Sequence, residues 1–291
     1  MRPVVVLAVL VALAGCAPAA APASGPAPAY RVLVFSRTAG FRHDSIPAGI
    51  RAVRDLGTAG GFAVDATEDA RRFTAANLAR YRVVVFLSTT GDVLDARQQD
   101  AFEGWIRAGG GFVGVHSATD TEYGWPFYGE LVGAYFAGHP AVQPATIRVE
   151  DRTHPSTAHL GTTWTRTDEW YNFRTDPRAT AHVLLALDEA SYRGGTMGTD
   201  HPVAWCKRYA GGRSFYTAGG HPVEAYAEPA FRAHLLGGIR WAAGVAPGSC
   251  DAGGGPTLRA TPPVGAAPAG AGPANGTGPA AEPASPPPPS R

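Results

Sequence analysis

Five consecutive large apolar residues, Val83-Val84-Val85-Phe86-Leu87, leave a strand no face to turn toward water. A half-exposed strand alternates apolar and polar side chains, so an unbroken run marks a strand covered on both sides. Strands of this kind occur in parallel sheets held between helical layers. The neighbouring segments agree. Arg31-Val32-Leu33-Val34-Phe35-Ser36, Phe62–Ala66 and Phe112-Val113-Gly114-Val115 supply further short apolar strands. A helix starts at Asp44 or Ser45 with Pro47 in its first turn, carries Ile50, Val53 and Leu56, and stops near Gly57. A second helix starts at Asp95, places Phe102, Trp105 and Ile106 on one stripe, and ends at Gly109-Gly110-Gly111. The β-α-β-β-α-β order predicts an α/β domain with a largely parallel sheet and right-handed connections. The second half is richer in strands: Thr146–Val149, Trp164–Trp170, Ala181–Leu187, Pro202–Tyr209 and Ser214–Thr217, closed by a helix over Pro229–Ala243.

Composition divides the chain of 291 residues into zones. Of its 26 prolines, five lie in residues 1–29 and twelve in 246–291, so the ends carry the bias and residues 30–245 form one domain. Arg2 followed by an apolar run from Val4 to Leu13 suits the core of a signal peptide, and the run is too short to span a bilayer. It ends Leu13-Ala14-Gly15-Cys16, similar to a bacterial lipobox. The expectation is a leader over 1–15 and a diacylglycerol-bearing Cys16, held in the cell envelope with each buried methylene adding about 0.8 kcal/mol of membrane affinity. Residues 16–29 are then an Ala/Pro tether and 246–291 a Pro/Ala/Gly-rich tail without the apolar content to order itself. The net charge of +1 shows no basic stripe, which argues against a nucleic-acid partner. Cys206 and Cys250 are an even pair for an oxidising compartment, although a buried free cysteine is as ordinary.

Ligands of open α/β sheets bind beyond the carboxyl ends of the strands. Polar residues follow the strands at five places: Arg37 to Ser45, Ser88 to Asp92, His116 to Asp120, Asp168 to Tyr171, and Gly219-Gly220-His221-Pro222. Three histidines, His43, His116 and His221, and the carboxylates Asp120 and Glu169 are thereby expected on one edge of the sheet. His116 follows a glycine-flanked strand into a tight turn, where a side chain can be held strained and exposed. His154, His159, His182, His201 and His234 read as structural or exposed, with His139-Pro140 and His154-Pro155 as contributors to the rim.

Phe41-Arg42-His43-Asp44-Ser45-Ile46, Gly110 to Asp120, Asp168-Glu169-Trp170-Tyr171 and Gly212 to His221 together resemble the ThuA-like (trehalose utilisation) family, over about Tyr30–Gly244. That resemblance implies a flavodoxin-like three-layer α/β/α sandwich, similar to class I glutamine amidotransferases. Gly114-Val115-His116 looks like the nucleophile elbow of those enzymes, with histidine in place of cysteine. His221-Pro222 looks like their histidine motif, with Glu224 one residue late. Glutamine hydrolysis needs a thiolate there, so that reaction is excluded.

The resemblance points instead to trehalose, related disaccharides and their keto-sugars. His116 and His221 are expected as an acid–base pair, with Asp120 or Glu169 orienting a ring. Tyr123, Trp125, Trp170 and Tyr171 are candidates to stack on sugar faces; Arg37, His43, Asp44, Ser45, Thr89 and Ser117 are candidates to bind hydroxyls. Proton abstraction beside a carbonyl, with elimination or isomerisation, suits such a set better than two-carboxylate glycoside hydrolysis. Two alternatives stand beside it. His43, His116, His221 and one carboxylate suit zinc with an open position, and the aromatics equally suit a non-catalytic sugar-binding lipoprotein.

Overall fold

The computed structural model describes residues 28–251. The expected leader and tether up to residue 27, the lipid-bearing Cys16, and the tail beyond residue 251 lie outside the described residues. No described helix is long and apolar enough to cross a membrane.

The first half alternates as expected: β1 (Tyr30–Phe35), α1 (Ile46–Gly60), β2 (Phe62–Thr67), α2 (Ala75–Leu78), β3 (Val83–Leu87), α3 (Ala96–Arg107) and β4 (Gly111–Val115). A short helix α4 (Pro126–Val132) and strand β5 (Phe136–Gly138) follow. The second half supplies β6 (Gln143–Val149), β7 (Thr163–Asp168), β8 (Asn172–Phe173), β9 (His182–Leu187), β10 (Pro202–Tyr209), β11 (Gly212–Thr217) and α5 (Pro229–Ala242). The main sheet has nine strands in the order β2-β1-β3-β4-β11-β10-β9-β6-β7. From β2 to β11 every pairing is parallel, and from β11 to β7 every pairing is antiparallel. The strand-rich second half of the sequence thus extends a parallel core sideways.

Every residue of β3 is fully buried, because its two faces meet different helices. Phe86 stacks on Phe102 of α3 at 5.4 Å, while Leu87 lies against Gly49 of α1. Adjacent strand residues point to opposite faces, so α1 and α3 form separate layers around the sheet. Helix α3 begins at Asp95, whose side chain accepts from the Gln98 amide while Gln98 returns a bond to the Asp95 backbone. Helix α1 does not stop at Gly57 but runs to Gly60. A Cβ on Gly57 would come within 2.7 Å of the Phe62 carbonyl, so this glycine lets the helix lie tightly on β2 rather than ending it.

Cys206 in β10 and Cys250 form a disulfide with Cα atoms 5.5 Å apart, which settles the alternative left open by the sequence. It pins the segment after α5 to the antiparallel half of the sheet. The cross-link spans 44 residues, so the Cys250→Ser variant should lose about 3–4 kcal/mol, read as a Tm lower by about 10 °C. A Tm unchanged on reduction would refute that contribution.

His154 does not reach a rim. It is fully buried beside Trp241 and Phe215, and His234 lies in the same core. His234 Nδ1 donates to the Ser156 carbonyl, and the Nε2 atoms of both histidines have no partner. Burial lowers His154 to about 4 and His234 to about 3. The unfolded chain protonates both near pH 6.5, so between that value and the folded ones it binds more protons than the fold does. Stability present at neutral pH should therefore decline as pH falls below 6.5, by up to about 1.4 kcal/mol per pH unit for each histidine. Urea midpoints at pH 7, 6 and 5 measure this, and a flat profile would contradict it.

Candidate functional site

The directions of β1, β4, β7 and β11 bring their carboxyl ends to one edge of the sheet. The segments that follow them deliver His43, His116, Glu169 and His221 into one cluster, whose donor atoms all lie within 4.8 Å of one another. Above it opens a cavity of about 300 Å³, lined by Phe41, His43, Asp120, Phe136, His139, Glu169, Tyr171 and His221. A larger cavity of about 730 Å³ lies beside α2 and α3; Asp100 is its one acidic side chain and no histidine lines it. Chemistry, not size, picks the smaller one.

His116 takes a left-handed backbone, φ +52°, at the turn out of β4. A non-glycine residue there is strained and is held by its surroundings. Its carbonyl accepts from the Tyr216 hydroxyl, and its Nδ1 lies 2.8 Å from the Ala218 carbonyl. A carbonyl only accepts, so Nδ1 carries the proton and Nε2 faces the cluster. The ring is fully buried rather than exposed, and it forms the floor of the site. His116 Nε2 lies 3.0 Å from His43 Nε2, 3.0 Å from the Tyr171 hydroxyl and 3.4 Å from Glu169 Oε2.

Glu169 is the hub. Its Oε2 is 3.1 Å from His221 Nδ1, and its Oε1 is 3.1 Å from His139 Nδ1. Burial pushes its carboxyl up, but the His116 and His221 rings beside it outweigh burial and hold it well below the usual range. The same carboxylate raises His221. His221 Nδ1 is nonetheless off the line of a hydrogen bond and has no aligned partner. His43 is lowered to about 3, by burial first and by the facing His116 ring second.

Asp168, one residue before the hub, holds the site in place. Its fully buried carboxylate accepts from the backbone amides of Glu169, Gly220 and His221 and from Arg166. Gly220 has φ +120°, and a Cβ there would meet the Tyr226 hydroxyl at 2.7 Å, so the turn before His221 requires glycine. Ser45 occupies the N-cap position of α1 without capping it; its hydroxyl donates to the Gly220 carbonyl and ties two site loops together. His201 Nε2 donates to the Tyr171 carbonyl and steadies that strand end.

The other residues named from sequence distribute as follows. Ser117 Oγ lies 3.4 Å from His43 Nδ1, behind the cluster. Asp120 lines the cavity but accepts from the Tyr123 hydroxyl and contacts no cluster imidazole. Asp44 is exposed outside the cavity lining, and Arg37 donates to the Val93 carbonyl away from it. Thr89 is buried against Thr121. Trp170 is buried with its indole N–H on the Gln143 carbonyl, Trp125 packs in the aromatic core near Phe102 and Tyr128, and Tyr123 packs on Tyr135. Of the four expected sugar-stacking rings only Tyr171 lines the cavity. Glu224 is exposed, and Glu169 from β7 is the carboxylate beside His221. Phe41, exposed at the mouth, and Phe136 line the cavity without a sequence signal of ligand contact, although Phe41 sits two residues before His43 in the Phe41 to Ile46 motif.

The ThuA family, described as trehalose utilisation, matches residues 31–242. The chain belongs to the ThuA family. Solved structures with a similar fold include a putative ThuA-like protein from Bacteroides uniformis ATCC 8492, 24% identical with TM-score 0.64, covering 77% of this chain and 94% of that one. Another from Parabacteroides merdae ATCC 43184 is 20% identical with TM-score 0.63, covering 74% and 90%. A cytoplasmic protein from Salmonella typhimurium LT2 is 11% identical with TM-score 0.53, covering 73% and 99%. No curated protein matches the chain. These likenesses establish the α/β fold of this ThuA-family chain. Both cysteines among its described residues are tied in the disulfide, far along the chain from the His116 elbow.

Proposed function

We propose that this protein is an enzyme of disaccharide or keto-sugar breakdown whose reacting centre is the His43–His116–Glu169–His221 cluster. The observation that carries this is the convergence of four strand ends on one buried carboxylate beneath a sugar-sized cavity, in a chain of the trehalose-utilisation family. The sugar would lie against Tyr171 and Phe136, with Phe41 at the mouth. His139, whose side chain is 40% exposed, is the imidazole best placed to pass protons between the cavity and solvent. The reaction class is polar chemistry beside a sugar carbonyl, ending in elimination, isomerisation or hydrolysis. Glu169 has both oxygens engaged by imidazoles, which leaves it poorly suited to act as a glycosidase nucleophile.

An envelope location, with a lipid on Cys16 as the membrane contact, goes with this reading. It is supported by Leu13-Ala14-Gly15-Cys16 in the sequence and by the Cys206–Cys250 disulfide, which suits an oxidising compartment. Incubating the purified protein with trehalose and with 3-keto-disaccharides tests the function. Product formation is expected. Sugar binding without turnover of any of them would favour the binding-protein alternative, and neither binding nor turnover would overturn the carbohydrate reading.

A further inference from the structure

We infer that His43, His116, His221 and Glu169 are the ligands of a single first-row divalent metal ion of the zinc type. Four ligand-type atoms converge here, all within 4.8 Å of one another. His116 Nδ1–H is committed to the Ala218 carbonyl, so a neutral His116 points a lone pair from Nε2. That lone pair faces His43 Nε2 at 3.0 Å, the Tyr171 hydroxyl at 3.0 Å and the carboxylate Glu169 Oε2 at 3.4 Å. Nitrogen and carboxylate lone pairs repel at such distances. The Tyr171 hydroxyl or a protonated His43 Nε2 can donate to it, but neither places a proton between it and Glu169 Oε2. Ser117 Oγ lies 3.4 Å from His43 Nδ1 and can accept from it, which turns the His43 Nε2 lone pair toward the cluster. His221 Nδ1 is buried with no aligned partner at all. One cation among the four donors would accept a lone pair from each of them at once.

The spacing and chemistry fit such an ion. Ligand bonds of about 2.0–2.1 Å in a tetrahedral site put donor atoms roughly 3.3 Å apart; three of the separations here are 3.0, 3.1 and 3.4 Å, and all lie within 4.8 Å. Three imidazole nitrogens and one carboxylate oxygen select a zinc-like ion over magnesium or calcium, which take oxygen ligands. The outer contacts are those of metal ligands. His116 donates backward to a carbonyl, and the second oxygen of Glu169 meets His139 Nδ1. The four ligands come from four different segments, so no spacing motif in the sequence announces them. Three of the four also line the cavity, so the ion would face whatever enters it. Its role there, polarising a sugar oxygen, rests on the carbohydrate reading; its presence does not.

The test uses the untagged protein, stripped with chelator and titrated with Zn²⁺ and with Co²⁺, with bound metal measured by elemental analysis and the Co²⁺ form by its visible absorption. Uptake of about one ion per chain with a low-symmetry Co²⁺ spectrum is expected. Glu169→Gln and His221→Ala should each weaken binding by at least about 10–100-fold, the cost of losing even an outer-shell partner. His159→Ala, far from the cluster, should not. Failure of the stripped wild-type protein to take up either ion would overturn the inference, as would unchanged uptake in both ligand variants. Sugar turnover by protein that binds no metal would overturn the metal and leave the carbohydrate reading standing. Full occupancy without turnover of any sugar would do the reverse.

Discussion

Asp168→Ala is expected to destabilise the protein by about 3–5 kcal/mol, the range for removing one partner of a buried ion pair. Asp168 is fully buried and Arg166 beside it nearly so, 2.6 Å apart. Without the carboxylate, Arg166 keeps only Glu228, which is partly open to solvent, and three backbone amides lose their acceptor. Two of those amides belong to Gly220 and His221, so the loss also frees the loop that positions His221. Stability and site geometry can be separated. Replacing both charges, Arg166→Met with Asp168→Leu, removes the stranded cation and should recover that part of the loss, but not the part due to the three amides left without an acceptor. It should not restore the position of His221, so any sugar turnover should stay impaired. Denaturant melts of the single and double variants measure the first effect. A single variant as stable as the parent would show that the Arg166–Asp168 pair does not hold this edge of the sheet.

On the proposed function, His116→Asn is expected to lower kcat/KM on any disaccharide or keto-sugar the protein turns over by about a thousandfold or more while leaving a folded protein, the size of loss seen when a group acting at the reacting centre is removed. Asparagine is chosen for the backbone. His116 sits at φ +52°, where asparagine is tolerated far better than alanine or a branched residue. The substitution therefore removes the ring without adding backbone strain. What is lost is the Nε2 atom that meets His43, Tyr171 and Glu169, and the Nδ1 contact to the Ala218 carbonyl. Turnover at the parental rate in a folded His116→Asn protein would remove His116 from the mechanism.

Much of this molecule was legible in its sequence because its signals are local. The continuous apolar run of β3 announces a strand buried on both faces, and Asp95 announces the start of α3. The residues after β1, β4, β7 and β11 were identifiable as site residues because a parallel sheet sends its carboxyl ends to one edge. That rule names His43, His116 and His221, and leaves Asp120 and Glu169 as equal candidates for the carboxylate. Other assignments needed distances. Trp170 follows Glu169 directly, yet its neighbour Tyr171 points into the cavity while Trp170 points into the core. His139 reads as a rim histidine, and only the pairing of β5 with β8 brings it to Glu169. Asp168 reads as one more acidic residue beyond a strand, and its role depends on a loop 52 residues later.

The sequence by itself determined the layered α/β architecture, the edge on which the site lies and the absence of a cysteine at the elbow, because apolar runs, caps and turns act over a few residues. Only the tertiary structure decided which carboxylate the histidines share, which aromatic ring faces the cavity, and that Cys206 and Cys250 are joined. Those depend on approaches of a few ångströms between segments up to 175 residues apart, such as Ser45 and Gly220. No local pattern encodes them; they follow from how the sheet is wound.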